Sequence, residues 1–121
     1  MTAACERFRR SRNLECVSFC HGLAGLLTMS HSFYLETHLN LFSETAQQIV
    51  QLILNQYQPD IPFGFKCYAS IPNSHEDLLI DNAGLLDGIA GTLLSLLFST
   101  SNQSRKWIEL FLIKSSSSLN V

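Results

Sequence analysis

Cys20 and His21 are neighbours in the sequence and stand directly before an apolar run that starts at Gly22. A cysteine thiolate and an imidazole are ligands that zinc favours in proteins. Two adjacent residues can reach one ion only where the backbone is irregular, and Gly22 permits a turn there. A helix starting at about Gly22 would direct the positive end of its dipole at Cys20 and favour the thiolate. The pattern predicts half of a zinc site, and the ordinary alternative is a buried cysteine beside a hydrogen-bonded histidine.

A second copy of this sequence pattern follows later in the chain. Residues 86–91 align with residues 20–25, and both segments contain a glycine, an apolar residue, an alanine and a glycine in succession. Each copy stands at the start of an apolar helix. We interpret the pair as an internal repeat. The shared motif consists of Gly22, Gly25, Gly88 and Gly91, and glycines three apart on one helix face allow another backbone to approach closely. Asp87 stands where the first copy has His21, and a carboxylate there is more often a partner of the helix dipole than a catalyst.

The sequence Cys-His-Gly in one copy and Gly-Leu-Leu-Asp-Gly-Ile-Ala-Gly in the other resembles the lanthionine synthetase C-like (LanC) family, the zinc cyclases of class I lantibiotic biosynthesis. The resemblance covers residues 18–113 and implies the C-terminal portion of such a protein. It also implies the chemistry of thioether formation, in which a peptide cysteine adds to a dehydroalanine or dehydrobutyrine. Zinc is the implied cofactor, with Cys20 and His21 as two of three protein ligands.

The third ligand and the proton-handling histidine of the family lie upstream of the Cys-His-Gly motif, before residue 1 of this chain. We therefore expect this chain to be inactive alone and leave open whether it is an enzyme portion or a non-catalytic remnant or peptide-binding module. Cys16 is a candidate third zinc ligand. If Cys16 does not bind the metal, the third ligand comes from another chain or is absent.

The resemblance implies a dehydrated precursor peptide as partner, with a dehydratase and a transporter of a lantibiotic synthesis complex as further candidates. It places the protein in the cytoplasm, peripheral to the membrane through that complex. The net charge of −2 gives no general attraction to nucleic acid. We expect no transmembrane segment, because no continuous apolar stretch approaches the ~20 residues that a span needs. Glycines and His21 interrupt the apolar run after the N-terminal arginines, so these do not indicate a signal peptide.

The remaining cysteines and histidines carry weaker predictions. The four cysteines are expected to be reduced thiols, because no secretory signal or dense disulfide framework accompanies them: Cys5, Cys16, Cys20 and Cys67. Cys67 and His75 share a loop, but no spacing fixes them around a metal. His31 and His38 are expected to be exposed or hydrogen-bonded rather than ligands.

Apolar spacing predicts three helices. These are an apolar helix over residues 22–34, an amphipathic helix from Phe42 to about Tyr57 with glutamines on its polar side, and a helix over residues 84–98 that is apolar almost all round. Residues 58–82 hold all three prolines and predict a long loop with a short extended piece at 63–68. Residues 107–113 form a short apolar segment whose type the pattern does not assign.

We predict an all-α fold, a partial α/α barrel or toroid with two inner helices and one outer helix. The resemblance supplies that picture and the pattern of apolar and amphipathic helices agrees. The expected divisions are a basic lead-in at 1–17, helical repeats at 18–113 and a flexible tail at 114–121. Only 15% of residues are charged and 46% are hydrophobic, against ~25% charged in typical domains. We therefore expect exposed apolar surface that drives self-association.

Overall fold

The computed structural model describes residues 16–20, 22–70, 77–101 and 106–111. Within them lie the helices α1 (Leu23–Thr37), α2 (Asn40–Asn55) and α3 (Ile89–Ser101), the strands β1 (Cys67–Ser70) and β2 (Asp77–Ile80), and a 3-10 helix (Lys106–Phe111). The predicted all-α class is confirmed, with a small hairpin added between α2 and α3. Most of the predicted lead-in and all of the predicted tail lie outside the described residues, so these divisions stay predictions.

Helices α1 and α2 pack against each other across a short link. His38 ends α1 in the left-handed conformation, with φ of 56°, and its N–H donates to the Tyr34 carbonyl at 2.8 Å. Helix α2 has the predicted amphipathic character, since Ala46, Ile49 and Ile53 are buried while its glutamines are exposed. Leu54 differs from the prediction, because it is exposed although it continues the apolar spacing.

Helix α3 begins at Ile89, later than the predicted start at Gly84. Residues 85–87 form a turn, and the Ile89 N–H donates to the Asn82 carbonyl at 2.8 Å. The Asn82 side-chain oxygen accepts from the Gly84 N–H at 2.8 Å, so Asn82 stabilises the turn before the helix. The glycines at 84 and 88 allow this tight loop where a helical turn was predicted.

The predicted loop over residues 58–82 contains an antiparallel hairpin. Strand β1 pairs with β2 in a register that sets Cys67 opposite Ile80, and Lys66 and Asp81 form an ion pair of 2.9 Å beside that end. Residues 59–65 form turns, so the extended structure starts at Cys67 and not at Phe63. Periodicity could not find strands of four residues, because they are too short to show alternation.

One apolar core joins the elements that flank the Cys-His-Gly segment. It contains residues from the loop before α1, from all three helices and from the loop before β1: Val17, Leu23, Leu27, Ala46, Ile49, Ile53, Phe65 and Ile89. The first residues of α1 and α3 both lie in it, so the core fixes where the two repeat loops stand. None of the helices in the described part of the chain is both long and apolar enough to cross a bilayer.

Candidate functional site

Cys20 lies in the turn that leads into α1, and its side chain is exposed. Its backbone N–H donates to the carbonyl of Leu86 at 2.8 Å. Leu86 belongs to the turn that leads into α3, so the loop of the first repeat is hydrogen-bonded to the loop of the second. The thiol is therefore accessible while its backbone is held against the neighbouring repeat.

The two loops have the same local structure. The first helical residue of each copy donates its N–H to a carbonyl in the preceding loop, from Leu23 to Cys16 at 2.9 Å and from Ile89 to Asn82 at 2.8 Å. These residues are equivalent in the register that aligns Gly22 with Gly88, an offset of 66 residues. In the same register Asn40, where α2 begins, aligns with Lys106, where the 3-10 helix begins. The repeat seen in the sequence is thus a repeat of structure.

The motif glycines face carbonyl groups of their own loops. A Cβ on Gly25 would collide with the Phe19 carbonyl oxygen, and one on Gly91 would collide with the equivalent Leu85 oxygen and with Phe19 Cβ at 2.8 Å. Gly22 and Gly88 face the Cys16 and Asn82 carbonyls in the same way. A side chain at these positions would push the loop off the helix, so the motif keeps each loop folded back on the first turn of its helix.

His21 lies outside the described residues, so its geometry with Cys20 stays a prediction. Its repeat equivalent Asp87 is exposed in the turn before α3. Among the described residues no three His, Cys, Asp or Glu side chains form a group that could hold a metal ion. The described part of the site therefore offers Cys20 as an accessible soft donor at the start of a helix, a setting that suits zinc but does not complete a zinc site.

Cys16 and Cys67 have surroundings unlike that of Cys20. The Cys16 thiol is buried and donates to the Ser18 hydroxyl at 3.2 Å. Burial raises the pKa of the Cys67 thiol, and electrostatic interactions with Cys16, Asp87 and Asp81 raise it further. Because a thiol must lose its proton to bind zinc, the raised pKa makes Cys67 a poor ligand. Cys16 could serve as the third ligand only after giving up its hydrogen bond.

The histidines that follow the motif lie along α1 and at its end. His31 is buried rather than exposed, and its ring meets Phe98 of α3 edge-on with centroids 4.8 Å apart. His38 is exposed at the C-terminal end of the helix, as expected. His75 lies outside the described residues.

A line of small polar side chains joins α1 to α3, and sequence reasoning missed it. The Thr28 hydroxyl donates to the Ser95 hydroxyl at 2.9 Å, and the Thr92 hydroxyl donates to the Val17 carbonyl at 2.8 Å. All three hydroxyl-bearing side chains are fully buried. The signal available in the sequence was the presence of hydroxyl residues inside otherwise apolar helices, where a partner across the contact is the usual reason.

The tryptophan of the 3-10 helix closes the other side of the Cys20 loop. The rings of Phe19 and Trp107 meet edge to face with centroids 5.3 Å apart and an interplanar angle of 67°. Phe19 Cβ also lies so near Gly91 that a Cβ on that glycine would be 2.8 Å from it, so the residue before Cys20 is close to both α3 and the 3-10 helix.

Comparison with protein families agrees with the repeated motif. The family model described as lanthionine synthetase C-like protein matches residues 2–112. No curated protein matches the chain.

Proposed function

Because the chain belongs to the lanthionine synthetase C-like family, we propose that it is the C-terminal portion of a zinc-dependent lanthionine cyclase. The substrate is a dehydrated precursor peptide. Its cysteine sulfur forms a bond to the β-carbon of a dehydroalanine or dehydrobutyrine, the carbon–carbon double bond opens, the thiol loses its proton and the α-carbon gains one. The observation that carries the proposal is the exposed Cys20, held in a turn against the equivalent loop of the second repeat.

Cys20 and His21 are proposed as two protein ligands of the zinc. When bound, zinc supplies positive charge that lowers the pKa of the substrate thiol, so that a nucleophile is available at neutral pH. The chain's own part is to hold the Cys20 backbone through the hydrogen bond to Leu86 and to leave its side chain open to the substrate. A third protein ligand is needed, because catalytic zinc sites use three and keep the fourth position open.

The proton for the α-carbon does not come from the described histidines. His31 and His38 lie about 12 Å and about 22 Å along the helix axis from the start of α1, at ~1.5 Å per residue. A proton donor must be within hydrogen-bond reach of the reacting atom. We therefore place the proton donor outside the described residues, together with the third zinc ligand.

The architecture proposed for the active protein is a toroid in which α1 and α3 are neighbouring inner helices and α2 is an outer helix. Three helices cannot enclose a cavity, and apolar side chains on the inner helices are exposed: Met29, Leu93 and Leu97. Further helix pairs would cover them. A cytoplasmic location, peripheral to the membrane through a complex with a dehydratase and a transporter, belongs to the same proposal.

A non-catalytic remnant or peptide-binding module is the second candidate. It is favoured by the lack of three converging ligand side chains among the described residues. Such a protein would keep the repeat geometry and bind peptide without closing rings. The two candidates differ in whether thioether ring formation depends on Cys20 and His21 once the rest of a toroid is present.

The test is a cyclisation assay on a dehydrated precursor peptide, with loss of free-thiol alkylation measured by mass spectrometry. We expect no rings from this chain alone, and ring formation when the N-terminal helices of a lanthionine cyclase are supplied. Activity of the complemented protein should fall by at least about 100-fold in Cys20→Ala and His21→Ala, since loss of a ligand removes the metal. Two results would contradict the proposal. One is cyclisation by the isolated chain, and the other is activity of the complemented protein that Cys20→Ala does not lower.

Metal analysis gives a readout that does not depend on activity. After dialysis the isolated chain should hold zinc weakly and below one equivalent, and Cys20→Ala should remove it. Cys16→Ala is the matched control and should leave the zinc content unchanged. If Cys16→Ala removes tightly bound zinc, Cys16 is the third ligand, and one equivalent that survives Cys20→Ala refutes the ligand assignment.

A further inference from the structure

The segment that carries Cys20 is hydrogen-bonded to the second repeat at two points. The Cys20 N–H donates to the Leu86 carbonyl at 2.8 Å, and the Thr92 hydroxyl donates to the Val17 carbonyl at 2.8 Å. The first bond joins two backbones, so it does not depend on a side chain. The second depends on the side chain of Thr92, so a substitution in α3 can remove it.

Thr92 differs from other threonines of the helices in where its hydroxyl donates. Thr37, Thr45 and Thr100 each donate to the carbonyl four residues earlier in their own helix, at 2.7 to 2.8 Å. This local bond is common for a threonine inside a helix. The bond from Thr92 instead joins residues 75 positions apart in the sequence, and its acceptor lies in the loop that leads to Cys20.

The hydroxyl of Thr92 lies where the repeat otherwise accepts an apolar side chain. Thr92 is fully buried, and a buried hydroxyl is costly unless it is hydrogen-bonded. In the 66-residue register its equivalent in α1 is Leu26, which packs against the apolar core. The hydroxyl is thus present in the copy whose helix lies beside the Cys20 loop, and packing alone does not require it there.

We propose that Thr92 is a positioning residue for Cys20, the proposed zinc ligand. Thr92 fixes the loop at Val17 and the Leu86 carbonyl fixes it at Cys20, so the segment between these two points is ordered before metal binds. A ligand that is already in place binds a metal more tightly, because less freedom is lost on binding. The ligand role of Cys20 rests on the proposed cyclase function, whereas the anchoring of the loop can be measured without metal.

Hydrogen exchange of the Cys20 N–H, measured by NMR on the full chain without metal, tests the anchor. Thr92→Val removes the hydroxyl and keeps the branched shape, so the exchange should become about fivefold faster, as the loss of one hydrogen bond predicts. Thr92→Ser keeps the hydroxyl and should exchange at the rate of the unchanged chain. Thr28→Val is the matched control, because it removes another buried hydroxyl of the α1 to α3 contact, whose partners are Ser95 and the Ala24 carbonyl.

Zinc affinity, measured by competition with a chromophoric chelator, tests the ligand role with the same variants. The affinity should fall about tenfold in Thr92→Val and stay unchanged in Thr92→Ser and Thr28→Val. In the protein complemented with N-terminal helices, excess zinc should restore cyclisation by Thr92→Val but not by Cys20→Ala. The reason is that Thr92→Val keeps the ligands and loses only their order, whereas Cys20→Ala removes a ligand.

Circular dichroism establishes that each variant is folded before these measurements. An unchanged exchange rate in Thr92→Val, or an equal acceleration in Thr28→Val, would overturn the inference. Faster exchange without a loss of zinc affinity would overturn it as well, because the anchor would then not serve the ligand. One equivalent of zinc that survives Cys20→Ala would refute the proposed function, and the exchange rates separate that failure from a failure of the anchor.

Discussion

Access and ease of deprotonation control the reactivity of a thiol, and Cys67 is restricted in both. Cys20 is exposed in the turn before α1, whereas Cys67 is 1% exposed at the start of β1. Burial, followed by nearby negative charge, raises the pKa of Cys67. The contrast makes Cys20 the accessible thiol of the two and Cys67 a side chain of the core.

This contrast predicts different alkylation and a defined pH dependence. At neutral pH iodoacetamide should modify Cys20 readily and Cys67 only on unfolding, as peptide mass mapping can measure. Because the folded pKa of Cys67 lies above its unfolded value, its contribution to stability is complete below the unfolded pKa and is lost as pH rises through the folded pKa. The free energy of unfolding should therefore fall above about pH 8.5. Cys67→Ala should lessen that fall, and an unchanged slope in this variant would contradict the assignment.

At the scale of elements, α1 and α3 each act as one unit with the loop that precedes their first turn. The loop carbonyls lie where the Cβ atoms of Gly25 and Gly91 would be, and the first helical N–H of each copy is bonded back into the loop. The position of Cys20 therefore depends on glycines in both repeats. The Cys-His-Gly segment needs the second repeat as a support, although that repeat carries no cysteine or histidine in its own loop.

Gly91→Ala should destabilise the chain by about 1–3 kcal/mol, because the added methyl would meet the Leu85 carbonyl and Phe19 together. Urea unfolding gives the measurement. Gly84→Ala is the control, since a Cβ there has as its nearest atom the movable side-chain oxygen of Asn82 at 3.0 Å. Equal destabilisation by both changes would mean that glycine content, and not the close approach at Gly91, governs stability.

At the scale of the whole molecule, the two ends of the described chain meet beside the candidate site. Phe19 precedes Cys20, Trp107 follows α3, and their rings are in edge contact. The 3-10 helix thus closes against the same loop that the second repeat supports. Trp107 is the only tryptophan in the chain, so its fluorescence reports on this closure.

Phe19→Leu should shift the native emission of Trp107 to longer wavelength, because the half-buried indole loses its ring partner and gains contact with water. The helical signal in circular dichroism should change little. Phe63→Leu, at an exposed phenylalanine in the turn after α2, serves as the control and should leave the emission unchanged. An unshifted emission in Phe19→Leu would mean that the contact contributes nothing to the surroundings of Trp107.

The sequence by itself determined the helical class, the amphipathic face of α2 and the repeat. These depend on local periodicity and on the spacing of glycines, which are visible in the sequence however the helices pack. It also determined which residues could bind zinc, since that is a matter of side-chain chemistry. Only the tertiary structure decided that Cys20 lies against Leu86, that His31 is buried on Phe98 and that Cys67 is a core thiol. It also decided that Leu97 and Met29 are exposed, whereas the residues equivalent to them in the other repeat, His31 and Ser95, are buried. Each of these depends on contacts between residues far apart in the chain, and apolar periodicity shows that a face is buried without showing against what.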